Sequence, residues 1–348
     1  MEPIAVAAAP QVQPALDRLE TGGHLPAPVR LVRLDDEGRA DPERAAGVRV
    51  LWRRGRNPDR WFEHAVATLP DLAWAHSDTV GAERLPVREL AARGVTLTNG
   101  GDNFARPMAE WGMLAILAAA KRLPYFLRRS DAGRWEPPRT PLAELDGAVL
   151  LLLGLGQVGR LVAEMAGPFG LDVRAAVRSP RAEPPAGITR LVTGPAWRDE
   201  LPEADYVLLA LPLTPDTRGM VDARALDAMK PTAWLVNLAR GALVDESALV
   251  AALDAGRLGG AVLDAFETEP LPPGHPCGGA KACSSCPIPP GRRPAPRSGR
   301  SSCSPPSWAA GPPGRRSRTS STRTPATDRD APAGTPSEMA LDVRLRKP

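Results

Sequence analysis

The run Ala148-Val149-Leu150-Leu151-Leu152-Leu153, followed at once by Gly154-Leu155-Gly156-Gln157-Val158-Gly159, decides the fold. An unbroken apolar run, rather than an alternating one, suits a parallel strand covered on both faces. A helical stretch follows to about Gly167. The glycines thus stand between a buried strand and a helix, the setting a dinucleotide-binding turn requires, with a ligand-free glycine turn as the plain alternative. Gly154 permits the tight turn, Gly156 lets backbone approach a pyrophosphate, and Gly159 lets helix and strand pack closely. The helix start, with Gln157 and Val158 in its first turn, offers unbonded N–H groups and a partial positive charge to phosphates.

Working outward, Asp172–Val177, Tyr206–Leu211, Ala233–Leu238 and Gly260–Asp264 read as further strands, with helices such as Ser247–Ala255 between them. That alternation predicts an α/β fold with a doubly wound parallel sheet, a Rossmann cofactor domain over residues 101–276. Upstream, the short runs Val29–Leu34, Val48–Trp52, Leu72–Ala75 and Val95–Thr98, with the helix-like Pro86–Arg93, predict a smaller α/β domain over residues 1–100. A long helix is expected from Asn103 to Arg122, with Pro107 tolerated in its first turn.

The second strand of a dinucleotide fold ends near the adenosine ribose, where an acidic residue would favour NAD. Here the chain reads Val177-Arg178-Ser179-Pro180-Arg181. Two guanidiniums and a hydroxyl suit a 2′-phosphate, so NADP is expected over NAD. Two solvated surface arginines are the plain alternative in a chain that carries 40 Arg and 4 Lys.

The 348 residues are enough for two domains, and an apolar fraction of 43% is ordinary for a globular chain. The longest apolar stretch, Trp111–Ala120, falls well short of the roughly twenty residues of a membrane span. No basic segment precedes Pro10 and Pro14, so no export signal is visible and a cytoplasmic protein is expected. The net charge of +4 divides unevenly: from Cys277 to Pro348 there are 13 Lys+Arg against 4 Asp+Glu, leaving the rest at −5. The body therefore carries no electrostatic footprint for nucleic acid. All four cysteines (Cys277, Cys283, Cys286, Cys303) lie beyond the body, which has no disulfide framework. A zinc site is the lesser reading of their irregular spacing, and no metal is expected. With 13 prolines and little apolar periodicity, residues 277–348 are expected to be disordered.

Three stretches carry a family likeness: Leu211-Pro212-Leu213-Thr214-Pro215-Asp216-Thr217-Arg218-Gly219, Asn237-Leu238-Ala239-Arg240-Gly241-Ala242-Leu243-Val244-Asp245-Glu246, and Gly260-Ala261-Val262-Leu263-Asp264-Ala265-Phe266-Glu267-Thr268-Glu269-Pro270-Leu271-Pro272. In this order after the glycine turn, they resemble the D-isomer-specific 2-hydroxyacid dehydrogenases, most of all the glyoxylate/hydroxypyruvate reductase branch. The segments Trp74–Leu85 and Gly94–Trp111 are similar to that family's substrate loop and interdomain helix, so the likeness runs from about Leu72 to Pro276. It implies a flavodoxin-like substrate domain beside the Rossmann domain, a homodimer, and hydride exchange between NAD(P)H and a small 2-oxo or 2-hydroxy acid. By the same resemblance, Arg240 would bind the substrate's carboxylate and carbonyl, for which a guanidinium offers several fixed donors. Glu269 would hydrogen-bond the catalytic histidine and raise its pKa. Asp264 would hold the nicotinamide carboxamide. Leu211, Pro212, Thr217, Leu238 and Met108 would border the cofactor, and Val80 and Gly81 would offer N–H groups to the substrate carboxylate.

The departure comes after His275-Pro276, where the family continues with an apolar segment and then Pro-His, its general acid. Of the four histidines, His24, His64, His76 and His275, none stands there. His76 lies in the substrate-loop region and reads as a packing or surface residue. The genetic code offers an explanation. Ser284-Ser285-Cys286-Pro287-Ile288, written TCC-TCC-TGC-CCC-AT after a C and read one base earlier, becomes CTC-CTC-CTG-CCC-CAT, or Leu-Leu-Leu-Pro-His. The same shift at Thr319-Ser320-Ser321-Thr322 permits Asn-Val-Val-Asp, similar to the family's ending. On this reading one base was lost near codon 277 and the remainder is out of frame. Two functions are then open: a 2-oxoacid reductase in the restored frame, or a catalytically impaired NAD(P)-binding remnant in the frame as written.

Overall fold

Residues 4–99 wind into a five-stranded parallel sheet made of β1 (Ile4–Ala8), β2 (Val29–Arg33), β3 (Val50–Arg53), β4 (Trp74–Ser77) and β5 (Thr96–Asn99), in the order β2-β1-β3-β4-β5. The computed structural model describes residues 3–24, 28–54, 58–79, 81–82, 85–138, 141–180, 183–278 and 283–285. The strand order is that of flavodoxin-like folds. Between the strands run α1 (Gln13–Thr21), α2 (Pro42–Ala45), α3 (Asp59–Thr68) and α4 (Val87–Ala92). In α3, Trp61, Phe62, Ala65 and Val66 recur on one face and are buried against Leu34, Leu51 and Ala75. The Trp61 indole N–H donates to the Asp35 carbonyl at 2.9 Å, so its one polar atom enters the core satisfied.

The chain then enters α5 (Gly101–Ala120) and α6 (Leu123–Asp131). Helix α5 starts two residues earlier than the sequence suggests, so Pro107 lies in its second turn. The hydrogen bond lost there is the one to Asn103, an exposed residue whose carbonyl water can reach. Ala105, Ala109, Met113 and Ile116 form the buried stripe of α5. At Gly112 the helix comes so close that a Cβ would stand 2.9 Å from Leu238 Cδ1 and 3.0 Å from Leu208 Cδ1. Although it emerges from the first sheet, α5 completes the core of the second.

That second sheet comprises β6 (Val149–Leu153), β7 (Asp172–Val177), β8 (Arg190–Thr193), β9 (Tyr206–Leu209), β10 (Trp234–Asn237), β11 (Gly260–Leu263) and β12 (Cys283–Ser285). All pairings are parallel, in the order β12-β11-β10-β9-β6-β7-β8. Helices α7 (Gln157–Ala166), α8 (Ala223–Ala228) and α9 (Glu246–Asp254) cover it together with α5. Strand β6 explains the apolar run. Leu150 and Leu152 face Ile116 and Val162 on one side, while Leu151 and Leu153 join the core of Leu226 and Leu249 on the other. All four are fully buried, each contributing about 1.5–3 kcal/mol.

Strand order runs one way from β6 to β7 and the other way to β9, so a crevice opens beyond their carboxyl ends. Strand β9 stops at Leu209, two residues short of the expected end, and releases Leu211 and Pro212 into that crevice's rim. Strands β1 and β8 carry no counterpart in the sequence reading. Neither does the order found beyond Pro276, where disorder is expected: Cys277 is buried and Cys283–Ser285 pair with Ala261–Leu263. Without that pairing β11 would expose a row of backbone donors and acceptors, and filling it asks nothing of side chains. The rest of the segment expected to be disordered, with Cys286 and Cys303, lies outside the described residues. Among the described residues no helix is long and apolar enough to cross a membrane.

Candidate active site

The glycine turn joins β6 to α7. Gly154 has φ +102°, and a Cβ there would run into the Ala210 carbonyl and Leu211. A Cβ on Gly159 would strike the Gly154 carbonyl, so the third glycine is what lets α7 lie on the strand. Gly156 is different in kind. It caps α7 with φ −78° and ψ −159°, is exposed, and a Cβ would meet nothing within 4 Å. Two glycines are therefore required by packing, and the middle one opens onto free space in front of the helix N-terminus. That open cradle fits a pyrophosphate, with Gln157 exposed and Val158 half-buried at the first helical positions.

Around this cradle the carboxyl edge gathers the other expected residues. Arg178 and Ser179 follow β7 and are exposed; Arg181 and Val80 lie outside the described residues. After β9, the Thr217 hydroxyl donates to Pro212 O at 2.9 Å and accepts from Thr214 N–H at 2.8 Å. Its part is to close the turn that bears Pro212, and its hydroxyl is committed to that turn. Leu238 is buried beneath α5, where it serves as floor rather than wall, and half-buried Met108 packs on the same core.

Arg240 is half-buried in the loop after β10, with one guanidinium N–H donating to the Ala239 carbonyl at 2.8 Å. Asp264, half-buried at the end of β11, donates its backbone N–H to Asn237 O at 3.0 Å. The two loops touch at Gly241, where a Cβ would overlap the backbone of Phe266 and Glu267. Glu269 is exposed and its Oε1 accepts the Phe266 N–H at 3.0 Å, folding the carboxylate back on its own loop.

Two residues to which the sequence reading gives no role organise this edge. Asn237 is fully buried and brackets the Arg240 loop. Glu246, first in α9, accepts the Glu267 N–H at 2.6 Å through Oε1 and faces His275 Nε2 at 3.3 Å through Oε2. An Asn at a strand end and a Glu at a helix start are common residues in common places, so neither draws notice in the sequence alone.

In the first domain, Gly81 is half-buried and its carbonyl lies 3.4 Å from the Thr79 hydroxyl. His76 stands on β4 with Nδ1 2.8 Å from the Thr98 hydroxyl, which also accepts the Trp74 indole N–H at 2.8 Å. Burial holds its imidazole below the ordinary histidine value, against the opposing pull of Asp78. This matches a packing histidine.

Residues 113–287 match the family described as D-isomer specific 2-hydroxyacid dehydrogenase, NAD binding domain. A glyoxylate reductase of Aeropyrum pernix is 37% identical over 221 residues, taking in 61% of this chain and 64% of the relative. The chain thus spans less than two thirds of that relative's length. A D-isomer specific 2-hydroxyacid dehydrogenase from Xanthobacter autotrophicus Py2, solved with NADPH and MES, superposes with a TM-score of 0.67 at 29% identity. That alignment covers 82% of this chain and 88% of the other. An NADPH-dependent glyoxylate/hydroxypyruvate reductase from Sinorhizobium meliloti, solved with NADP and malonate, gives 0.65 at 27% identity, covering 82% and 86%.

Proposed function

The chain belongs to the D-isomer-specific 2-hydroxyacid dehydrogenase family, and from that premise we propose that its lineage is a cytoplasmic NAD(P)-dependent reductase of small 2-oxo acids, of the glyoxylate or hydroxypyruvate type. The observation that carries the reading is the carboxyl edge of the second sheet. The open cradle at Gly156, the Arg240 loop and the Asp264–Glu269 loop all leave that one edge. A bound nicotinamide cofactor supplies or accepts the hydride. Backbone N–H groups at the start of α7 hold its pyrophosphate. Arg240 takes the substrate's carboxylate and draws charge towards the carbonyl oxygen. Asp264 accepts from the nicotinamide amide, and Leu211, Pro212 and Met108 keep water from the reacting face. NADP is the preferred form: Arg178 and Ser179 are exposed at the end of β7, free of the core, where a 2′-phosphate would lie. A homodimer is supported by Leu114, Leu123, Phe126, Leu127, Trp135 and Leu142, large apolar side chains exposed along α5, α6 and the segment after them.

A second reading has its own support. Glu269 spends one oxygen on Phe266, and the nearby His275 faces Glu246 and Phe266 instead. In the frame as written, Glu269 makes no hydrogen bond or ion pair with a histidine among the described residues, and on this reading the chain would be an impaired cofactor-binding remnant. The shifted frame restores a histidine. Cys283–Ser285 pair in parallel with β11, so β12 ends on the same edge as Asp264, and the shifted reading puts Leu-Leu-Leu over Ser284-Ser285-Cys286, two of them on that ladder, with Pro-His next.

The test is to express the chain as written and a frame-restored version, confirm NADPH binding in both, and compare kcat/KM on glyoxylate and hydroxypyruvate. A missing general acid should cost about 10²–10⁴-fold. Equal activity would assign the proton to another residue, His76 first. No turnover by the restored version would overturn the reductase reading.

A further inference from the structure

We infer that Asn237 is the positioning residue that sets the Arg240 loop and the Asp264 strand end in register, so that substrate anion and nicotinamide meet at a fixed spacing. The inference rests on the roles proposed above for Arg240 and Asp264. Asn237 is the last residue of β10 and is fully buried. Its amide N–H donates to the Arg240 carbonyl at 2.9 Å, and its amide oxygen accepts the Ala239 N–H at 2.9 Å. Its backbone carbonyl accepts the Asp264 N–H at 3.0 Å. One residue therefore holds the two loops by three separate bonds.

The chemistry of the side chain matters. Between β10 and α9 the chain must turn out of the sheet, and the backbone groups of Ala239 and Arg240 lose their ladder partners there. A primary amide offers an N–H donor and an oxygen acceptor from one planar group, which matches the Ala239 N–H and the Arg240 carbonyl, whose other partner is the Leu243 N–H. Aspartate would keep the acceptor and turn the donor into a repelled oxygen. Leucine would leave the Ala239 N–H unpaired, which is costly in a buried place, and the Arg240 carbonyl with only the Leu243 N–H at 3.2 Å. Next to this clamp, Gly241 lets the Phe266–Glu267 backbone lie against the loop, so a shift at Arg240 presses directly on the segment that follows Asp264. Arg240 can hold its guanidinium steady only if its own backbone is held, since loop positions otherwise move.

The experiment measures oxalate, a planar mimic of a 2-oxo acid, binding to the NADPH complex of the full chain by quenching of cofactor fluorescence. Turnover is not needed. Asn237→Asp and Asn237→Ser are compared with the parent and with Arg240→Gln, each checked for NADPH affinity and melting temperature. The expected result is oxalate affinity weakened about tenfold or more in Asn237→Asp, the loss of about one well-made hydrogen bond, with NADPH affinity within about threefold. Asn237→Ser, which keeps a small hydrogen-bonding side chain, should fall between. Oxalate affinity unchanged in a folded Asn237→Asp, while Arg240→Gln loses it, would overturn the inference and leave the functional reading intact. Oxalate affinity unchanged in Arg240→Gln would overturn the functional reading itself. If Asn237→Asp does not fold, Asn237→Ser decides, and parent-like oxalate binding there refutes the positioning role.

Discussion

Gly156→Asp should separate stability from ligand binding, moving them in opposite directions. The cap of α7 has φ −78° and ψ −159°, close to Asp222 at φ −89° and ψ −178°, which caps α8 by accepting the Ala225 N–H at 2.9 Å. An aspartate at 156 would meet no neighbour within 4 Å at its Cβ and could cap α7 in the same way. Exchanging glycine for a good cap is worth from a few tenths to about 1 kcal/mol, or about 1–3 °C in melting temperature for a chain of this size. Against this, the new carboxylate would stand where a pyrophosphate is to lie. Two like charges about 4 Å apart repel by about 4 kcal/mol at an effective dielectric constant near 20. Even after solvent screening halves that figure, NADPH affinity should weaken by about 30-fold or more. The assay pairs a thermal melt without ligand and an NADPH fluorescence titration, with Gly156→Asn as the uncharged control. An NADPH Kd within about threefold of the parent would refute the cradle, and a melting temperature about 5 °C lower would refute the claim that Gly156 faces open space.

Gly159→Ala should behave in the opposite manner, costing about 1–3 kcal/mol of stability in a urea titration because its Cβ strikes the Gly154 carbonyl; an unchanged midpoint would mean that α7 can shift freely. Arg178→Asp should move the ratio of NADPH to NADH dissociation constants towards NADH, and an unchanged ratio would place Arg178 away from the ribose. The Arg198 guanidinium, then the Ala225 N–H, hold the Asp222 carboxyl below the ordinary value of 3.8. Its stabilisation is therefore fully present above that value and lost as pH falls through the lower folded-state value, so Asp222→Asn should flatten the loss of stability below about pH 4. Leu127→Glu should shift a sedimenting dimer to monomer while leaving NADPH affinity unchanged; a parent that already sediments as a monomer would remove the interface proposal.

The cofactor half was legible because its signals are local. Leu150–Leu153 announce a strand covered on both sides, and the glycines announce a tight turn into a helix. Strand β1 was not, since Ile4-Ala5-Val6-Ala7-Ala8 is rich in alanine, a poor strand former, and is held by pairing to β2 and β3 on either side. The edge at β12 was hidden for a related reason: its sequence reads Cys-Ser-Ser, and only the backbone ladder of β11 recruits it. At the site, motif resemblance marked the residues that would touch ligand, such as Arg240 and Asp264. It passed over those that hold them, Asn237 and Glu246, because a buried amide and a helix-start carboxylate acquire meaning only from the three-dimensional partners they meet. It also gave Thr217 a ligand role, whereas its hydroxyl is occupied in the Pro212–Thr217 turn.

A strand recruited through its backbone is indifferent to the codons that encode it. Cys283–Ser285 complete the second sheet as written, and the first two of the three leucines of the neighbouring frame would fall at Ser284 and Ser285 on the same ladder of β11. The consequence would be genetic as much as structural: on the shifted-frame reading, a base lost just after Pro276 would spare the proposed nucleotide-binding module and strike the residue proposed to move the proton. The product of such a gene would be a competitor and not merely a null. It would still withdraw NADPH from the pool, and through the α5–α6 surface it could enter mixed dimers with an intact copy and dilute its output.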